Sequence, residues 1–121
     1  MSELVLRAEE VAKSAYAPYS NYLVGAVVRM TDGTEFTGTN VENAAYPLTQ
    51  CAEKTAIGAA ATAGIRPGDI EAIGITASPC GGCRQWLHEF RIDQVSYRAA
   101  DGTIHTVTAA ELLPDGWDLP E

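Results

Sequence analysis

The stretch "IEAIGITASPCGGCRQWLHEFRIDQVSYR", residues 70–98, decides the fold. It opens with "IEAIGITA" (70–77), a β-branched, apolar run that reads as a strand. It passes into "CGGCRQWLHEF" (80–90), a helix with Trp86, Leu87 and Phe90 on one side. It leaves through "DQVSYR" (93–98), a second strand. A strand–helix–strand unit implies a sheet covered by helices. Two of the chain's three cysteines, Cys80 and Cys83, sit where the first strand feeds the helix.

Working towards the N-terminus, "CAEKTAIGAAATAG" (51–64) is an Ala-rich helix ended by Gly64, with so little charge that it should be buried. "NVENAAYPLTQ" (40–50) before it has the polar, Pro-containing look of a functional loop. "YLVGAVVRM" (22–30) is apolar enough for a strand covered on both faces, and Asp32-Gly33 turns it into a hairpin partner. Residues 3–17 carry Leu4, Ala8, Val11, Ala12 and Ala15 at helical spacing, and Pro18 disfavours helix at Ala17. Towards the C-terminus, "TIHTV" pairs with "DQVSYR" across Asp101-Gly102. "TAAELLP" closes as a short helix with Thr108 and Glu111 placed as a capping box. The order is αββαβαββα. It implies one α/β domain over 1–121, a mixed β-sheet flanked by helices.

Composition excludes several functions. The 121 residues are 46% apolar and 20% charged, ordinary for a globular chain, with a net charge of -8. The eight Lys and Arg are scattered, so no basic patch offsets repulsion of a phosphate backbone, and long nucleic acid is not an expected partner. No segment reaches the ~20 apolar residues that span a bilayer. The opening carries Glu3, Glu9 and Glu10 where a secretion signal would be basic and then apolar, so the expected location is the cytoplasm. Thiols stay reduced there. A Cys-x-x-Cys with a distant Cys51 then reads as metal ligands rather than a disulfide framework.

Cys51 and the Cys80/Cys83 pair each stand at a helix N-terminus, whose free N–H groups favour thiolates. Three protein ligands leave a tetrahedral zinc one open position, the catalytic pattern, and zinc lowers the pKa of a bound water towards neutrality. Glu53, two residues from Cys51, is near enough to accept a proton without being a ligand. Three thiolates against Zn²⁺ leave a net charge of about -1. Lys54 and Arg84 are the candidates to offset it and tune the metal. A structural zinc site or a redox pair remain alternatives. A closed structural site would recruit His88 or His105 as fourth ligand.

"CAE" followed by "PCGGCRQ" resembles the cytidine deaminases, in their small, three-cysteine, homotetrameric branch. The similarity extends over "AYAPYSNYLVGA" (15–26), "NVENAAYPL" (40–48), "CAEKTA" (51–56), "SPCGGCRQ" (78–85) and "ELLPDGW" (111–117). The resemblance implies that Cys51, Cys80 and Cys83 bind Zn²⁺. Glu53 would take a proton from the metal's water, pass it to ring N3, and help ammonia leave as C4 gains oxygen. Asn40 and Glu42 would hold the ribose 3′-hydroxyl, and Tyr22 would line the base pocket. By the family pattern Ala44 and Tyr46 come from a neighbouring chain, and Trp117 stacks on the base from another. A small pyrimidine nucleoside is the implied partner. On their own, Tyr22 and Tyr46 also fit as half-buried aromatics, Trp117 as a packing anchor, and Asn40 and Glu42 as turn-formers.

The departures carry information as well. Lys54 stands where Arg is usual, Tyr22 where Phe is usual, and Thr39 where a non-ligand Cys is common. The link into "SPCGGC" is shorter than in most relatives, which should open one wall of the site to modified pyrimidines. A deaminase of a blasticidin-type antibiotic and a non-catalytic zinc module are the competing functions. The 40–43 "NVEN" block favours a plain ribose over the first, and Glu53 argues against the second.

Overall fold

The structure is a computed structural model and describes residues 2–120. The chain runs α1 (Ser2–Ala12), β1 (Gly25–Met30), β2 (Glu35–Thr39), α2 (Ala52–Thr62), β3 (Ile70–Ile75), α3 (Gly81–Glu89), β4 (Val95–Arg98), β5 (Ile104–Val107) and α4 (Ala109–Leu112). The five strands form one sheet in the order β2-β1-β3-β4-β5. β3 and β4 are parallel and the other neighbours antiparallel, which is the mixed sheet the sequence implies. The parallel pair is the one joined through α3, since a tight turn cannot connect parallel strands.

Alternation along the strands divides the core. Ala26, Val28 and Met30 of β1 join Ile73 and Ile75 of β3 beneath α2 and α3, against Ile57 and Leu87. Val27 and Ala72 face the other way and pack on Leu4 and Ala8 of α1. The central strands are thus covered on both faces, as their unbroken apolar runs demand. Cutting a fully buried Ile73 or Leu87 back to Ala should cost ~2–5 kcal/mol. Glycine sets how closely the helices lie on the sheet. A Cβ at Gly38 would stand 2.4 Å from the Ala56 backbone nitrogen, and one at Gly74 would stand 2.5 Å from Leu4. α2 therefore rests directly on β2, which fixes where its N-terminus points.

Two boundaries and one loop differ most from the sequence expectation, because tertiary hydrogen bonds outcompete local pattern. α1 stops at Ala12 rather than continuing to 17. The Tyr16 N–H donates to the Asn40 carbonyl (3.3 Å) and the Tyr16 carbonyl accepts from Glu42 N–H (2.9 Å), so this segment pairs as extended chain. β1 begins at Gly25 rather than 22, because the Tyr22 carbonyl and Val24 N–H are taken by the Asn40 side chain. The 40–50 loop contains a short 3₁₀ turn at Tyr46–Leu48, and Val41 and Gln50 exchange backbone hydrogen bonds at 2.9 Å. Gly64 does stop α2: it follows the C-cap Ala63, and its φ of +102° is the left-handed conformation that glycine adopts cheaply. The capping box at Thr108 and Glu111 also forms. Among the described residues no helix is long and apolar enough to cross a membrane.

Candidate active site

The N-termini of α2 and α3 converge. Cys51 caps α2 and Cys80 caps α3, both in extended backbone, and Cys83 is the third residue of α3. Their three sulfurs all lie within 4.8 Å of one another, with Cys51 Sγ and Cys80 Sγ 3.9 Å apart. Zn–S bonds of about 2.3 Å in a tetrahedron call for sulfurs about 3.8 Å apart, so the set fits a zinc ion. Soft sulfur donors suit the same metal. The described residues contain no disulfide to occupy these thiols.

Neither histidine joins them. His88 Nε2 lies 3.0 Å from Asp118 Oδ1, and His105 lies against Thr103 and Tyr97. Among the described residues the cluster is cysteine alone, which leaves a tetrahedral metal its fourth position.

Burial pushes the Cys83 thiol strongly up, with the nearby Glu53 carboxylate adding to it, and burial also raises Cys51. Burial works against ionisation at Cys80 too, but the Cys83 backbone N–H and the two neighbouring thiols outweigh it and draw Cys80 down. Without a cation, the three thiolates cannot coexist cheaply here. A divalent ion supplies the missing charge.

Glu53 is the second residue of α2 and only 4% exposed. Burial raises its carboxyl above the usual range, partly offset by its own backbone N–H, Cys83 and the Lys54 charge. It lines a cavity of about 190 Å³ with Tyr22, Asn40, Thr49, Cys51 and Cys80. A buried carboxyl with a raised affinity for protons, beside a metal-ready cluster, is equipment for moving a proton at neutral pH.

The surrounding residues fall into two groups. Lys54 Nζ would lie 3.5 Å from a Cβ at Gly82, so its ammonium rests over the first turn of α3, close to the cluster. Arg84 sends its guanidinium elsewhere: to the carbonyls of Pro79 (2.9 Å) and Leu112 (3.1 Å) and the Ser78 hydroxyl (3.2 Å). It braces the segment before Cys80 against α4. The Asn40 amide spans the Tyr22 carbonyl (2.8 Å) and the Val24 N–H (2.9 Å), so it shapes the cavity wall it lines.

The remaining sequence candidates stand outside this cavity. Glu42 accepts from the Tyr19 and Ser20 N–H groups and pairs with the Ser20 hydroxyl, facing an adjoining hollow that shares Thr49. Tyr46 packs edge-on to Tyr19 with centroids 5.9 Å apart. Ala44, Tyr46 and Trp117 are exposed, and none lines the cavity of its own chain. Sequence reading missed Val24, Thr49, Gln50 and Ala52 among the cavity's lining, the last three of them next to or near Cys51, so proximity to that cap was their signal; Ala77 and Ser78 line the wall before Cys80, where the short link was expected to lie. Gln85 also escaped: its amide clasps the Trp117 backbone at both the N–H (3.2 Å) and the carbonyl (2.8 Å).

Residues 1–99 match the family described as "Cytidine and deoxycytidylate deaminase zinc-binding region". A cytidine deaminase of Halalkalibacterium halodurans is 40% identical over 119 residues, covering 92% of this chain and 89% of the relative. The crystal structure of cytidine deaminase from Burkholderia pseudomallei superimposes with a TM-score of 0.88 at 40% identity, covering 96% of this chain and 98% of that one. The enzyme from Mycobacterium tuberculosis gives 0.83 at 33% identity, covering 98% and 97%. With fold, cysteine cluster and sequence in agreement, this chain belongs to the cytidine and deoxycytidylate deaminase family.

Proposed function

We propose that the chain catalyses the zinc-dependent hydrolysis of cytidine and deoxycytidine to uridine and deoxyuridine, releasing ammonia. One observation carries this reading. The buried Glu53 carboxyl lies in the same small cavity as the cysteine cluster. Cys51, Cys80 and Cys83 would hold the zinc. When bound, it acts as a Lewis acid and makes water a competent nucleophile near neutral pH.

The rest falls to the chain's own side chains. Glu53 carries one proton of the attacking water to ring N3, and then carries the second, from the new hydroxyl at C4, to the departing amino group. Its burial keeps bulk water from competing for that proton. Lys54 offsets the excess negative charge of three thiolates from its place over the α3 turn. Arg84 positions Cys80 by bracing Pro79 and Ser78. Tyr22 and Asn40 both line the cavity; in this reading Tyr22 would face the base and Asn40 the sugar. Asn40 in the cavity and Glu42 in the adjoining hollow put a neutral and a negative group where a sugar hydroxyl would be tolerated and a phosphate repelled, which favours a nucleoside over a nucleotide.

One chain makes an incomplete pocket. Its ~190 Å³ falls below the ~300 Å³ at which ligand sites usually begin. Ala44, Tyr46 and Trp117 are meanwhile exposed and unused. This supports a homotetramer in which neighbours complete each site, Ala44 and Tyr46 from one and Trp117 from another. The role that fits is pyrimidine salvage in the cytoplasm. Neither a blasticidin-type deaminase nor a non-catalytic module is favoured by the relatives found.

The test is a spectrophotometric assay of zinc-loaded protein on cytidine, deoxycytidine, CMP and cytosine, with zinc content measured in parallel. Both nucleosides should turn over and the other two should not. Glu53→Gln should retain zinc while losing roughly 10²–10⁴-fold in kcat, the range for general acid–base catalysis. Undiminished turnover by a zinc-loaded Glu53→Gln enzyme would overturn the mechanism.

A further inference from the structure

A second hollow adjoins the active-site cavity. It measures about 400 Å³ against the cavity's 190 Å³. The two share Tyr22, Ala77 and Ser78, so these residues form the partition between them. Arg98, Ala99 and Ala100 close the far side.

The partition is slight because the chain there is short. β3 ends at Ile75 and Cys80 caps α3, leaving only residues 76–79 between strand and ligand. At 77 and 78 the side chains are a methyl and a hydroxymethyl group. The link is also pinned at both ends. Thr76 exchanges hydrogen bonds with Gly25, its N–H to the Gly25 carbonyl and its hydroxyl from the Gly25 N–H, each at 3.1 Å. Arg84 holds the Pro79 carbonyl and the Ser78 hydroxyl at the other end. A strap tied in this way cannot fold over to fill the hollow.

Chemistry decides what the hollow suits. Arg98 is already committed to Glu9 (3.0 and 3.2 Å) and the Gly102 carbonyl (2.9 Å), so it offers no spare charge to an anionic group. Ala99 and Ala100 add only methyl groups. An uncharged substituent is what this space accepts.

The reacting carbon fixes where a substituent would start. C4 must meet Glu53 and the cysteine cluster, and N4 is bonded to C4. Ala77 and Ser78 stand three and two residues before Cys80, at that same end of the cavity. We propose that the enzyme also hydrolyses N4-substituted cytidines bearing an uncharged acyl or alkyl group, which passes over the short side chains of Ala77 and Ser78 into the hollow; this rests on the cytidine reading above. The step balances without any further reactant. Water gives its oxygen to C4, the C4–N4 bond breaks, and N4 leaves with its substituent as a primary amide or amine. Water's two protons end on the departing nitrogen and on ring N3. The other product is uridine, as from cytidine itself.

The experiment offers the zinc-loaded enzyme cytidine, N4-methyl-, N4-acetyl- and N4-benzoylcytidine, and a 5-substituted cytidine, and follows uridine and the released amide or amine by chromatography. Ala100→Trp and, separately, Ala99→Leu narrow the hollow from its far wall without touching the catalytic groups. Wild type should convert the N4-substituted substrates to uridine. Each filling variant should lower N4-benzoylcytidine turnover by about tenfold or more, the scale on which pockets discriminate by size, with cytidine turnover unchanged. Conversion of cytidine with refusal of every N4-substituted substrate overturns the proposal and leaves the cytidine reading standing. So does acceptance of only the 5-substituted compound. N4-benzoyl turnover untouched by both fillings removes the hollow as the seat of the substituent. Refusal of cytidine and all derivatives strikes the cytidine reading itself.

Discussion

The two halves of the site are built in opposite ways. The chemical half, where α2 meets α3, is held inside one chain: Cys83 is fully buried and Glu53 nearly so, and both lie within the first turn of a helix. The recognition half, as proposed, lies largely on the surface. Tyr22, Tyr46 and Trp117 are each more than 60% exposed, and two of the three lie outside the cavity. Bond-making groups need fixed geometry and low dielectric, which a packed core supplies. Substrate-gripping groups must admit and release a molecule, which exposed aromatics can do, and which under the proposed assembly a neighbouring copy would complete. If that division is real, damage to each half should read out differently, in metal and stability for one and in KM for the other.

The largest effect is expected at Cys83. Cys83→Ser keeps the size of the side chain but removes a thiolate ligand, so zinc content and activity should fall together. Ligand binding at about a thousandfold above Kd stabilises a fold by about 4 kcal/mol, so losing it should lower Tm by ~10–20 °C against the zinc-loaded wild type. Thermal melts with and without chelator measure this. A Cys83→Ser protein that keeps full zinc and Tm would show that the cluster does not bind the metal through this residue.

How much of this was legible in sequence follows the same division. The buried half announced itself, because cysteines at helix caps, a Cys-x-x-Cys spacing and a glutamate in the first turn are local patterns with local causes. The order of helices and strands along the chain came from apolar runs and turn residues in the same way, whereas the order of strands within the sheet did not. What escaped was settled between distant segments. Helix α1 ended at Ala12 because Tyr16 found partners at Asn40 and Glu42, more than twenty residues away. Arg84 sits beside Cys83 in sequence, yet its guanidinium serves Leu112 and the link before Cys80. Gln85 belongs to the same short block, and nothing local says that it grips Trp117.

That grip is the next place to press. Gln85→Leu removes two hydrogen bonds to the Trp117 backbone, worth ~1 kcal/mol each. The C-terminal segment keeps the His88–Asp118 contact and the packing of Gly116 on the His88 ring nearby. If Trp117 stacks on a base in a neighbouring chain, the loosened segment should raise KM by roughly tenfold to thirtyfold, at 1.4 kcal/mol per factor of ten. kcat, zinc content and the pH profile should hold. An unchanged KM with a lowered Tm would make Gln85 a structural clasp and detach Trp117 from the substrate.

The smallest effect lies at Glu42, on the exposed side. The Ser20 hydroxyl holds this carboxyl below the usual carboxylate range against an opposing push from burial, with smaller help from the Tyr19 and Ser20 N–H groups. A folded value below the unfolded one means that the contact stabilises the loop fully above the ordinary value of about 4.3. The contribution fades as pH drops below that value and is lost once pH passes the lower, folded one. Amide exchange at Tyr19 and Ser20 should therefore quicken in acid before the core strands respond. Ser20→Ala should move the Glu42 midpoint, followed by carboxyl NMR, back up towards the ordinary value while leaving zinc untouched. A midpoint that stays put would take the Ser20 hydroxyl out of the account and leave the backbone N–H groups as the force that orders this rim of the pocket.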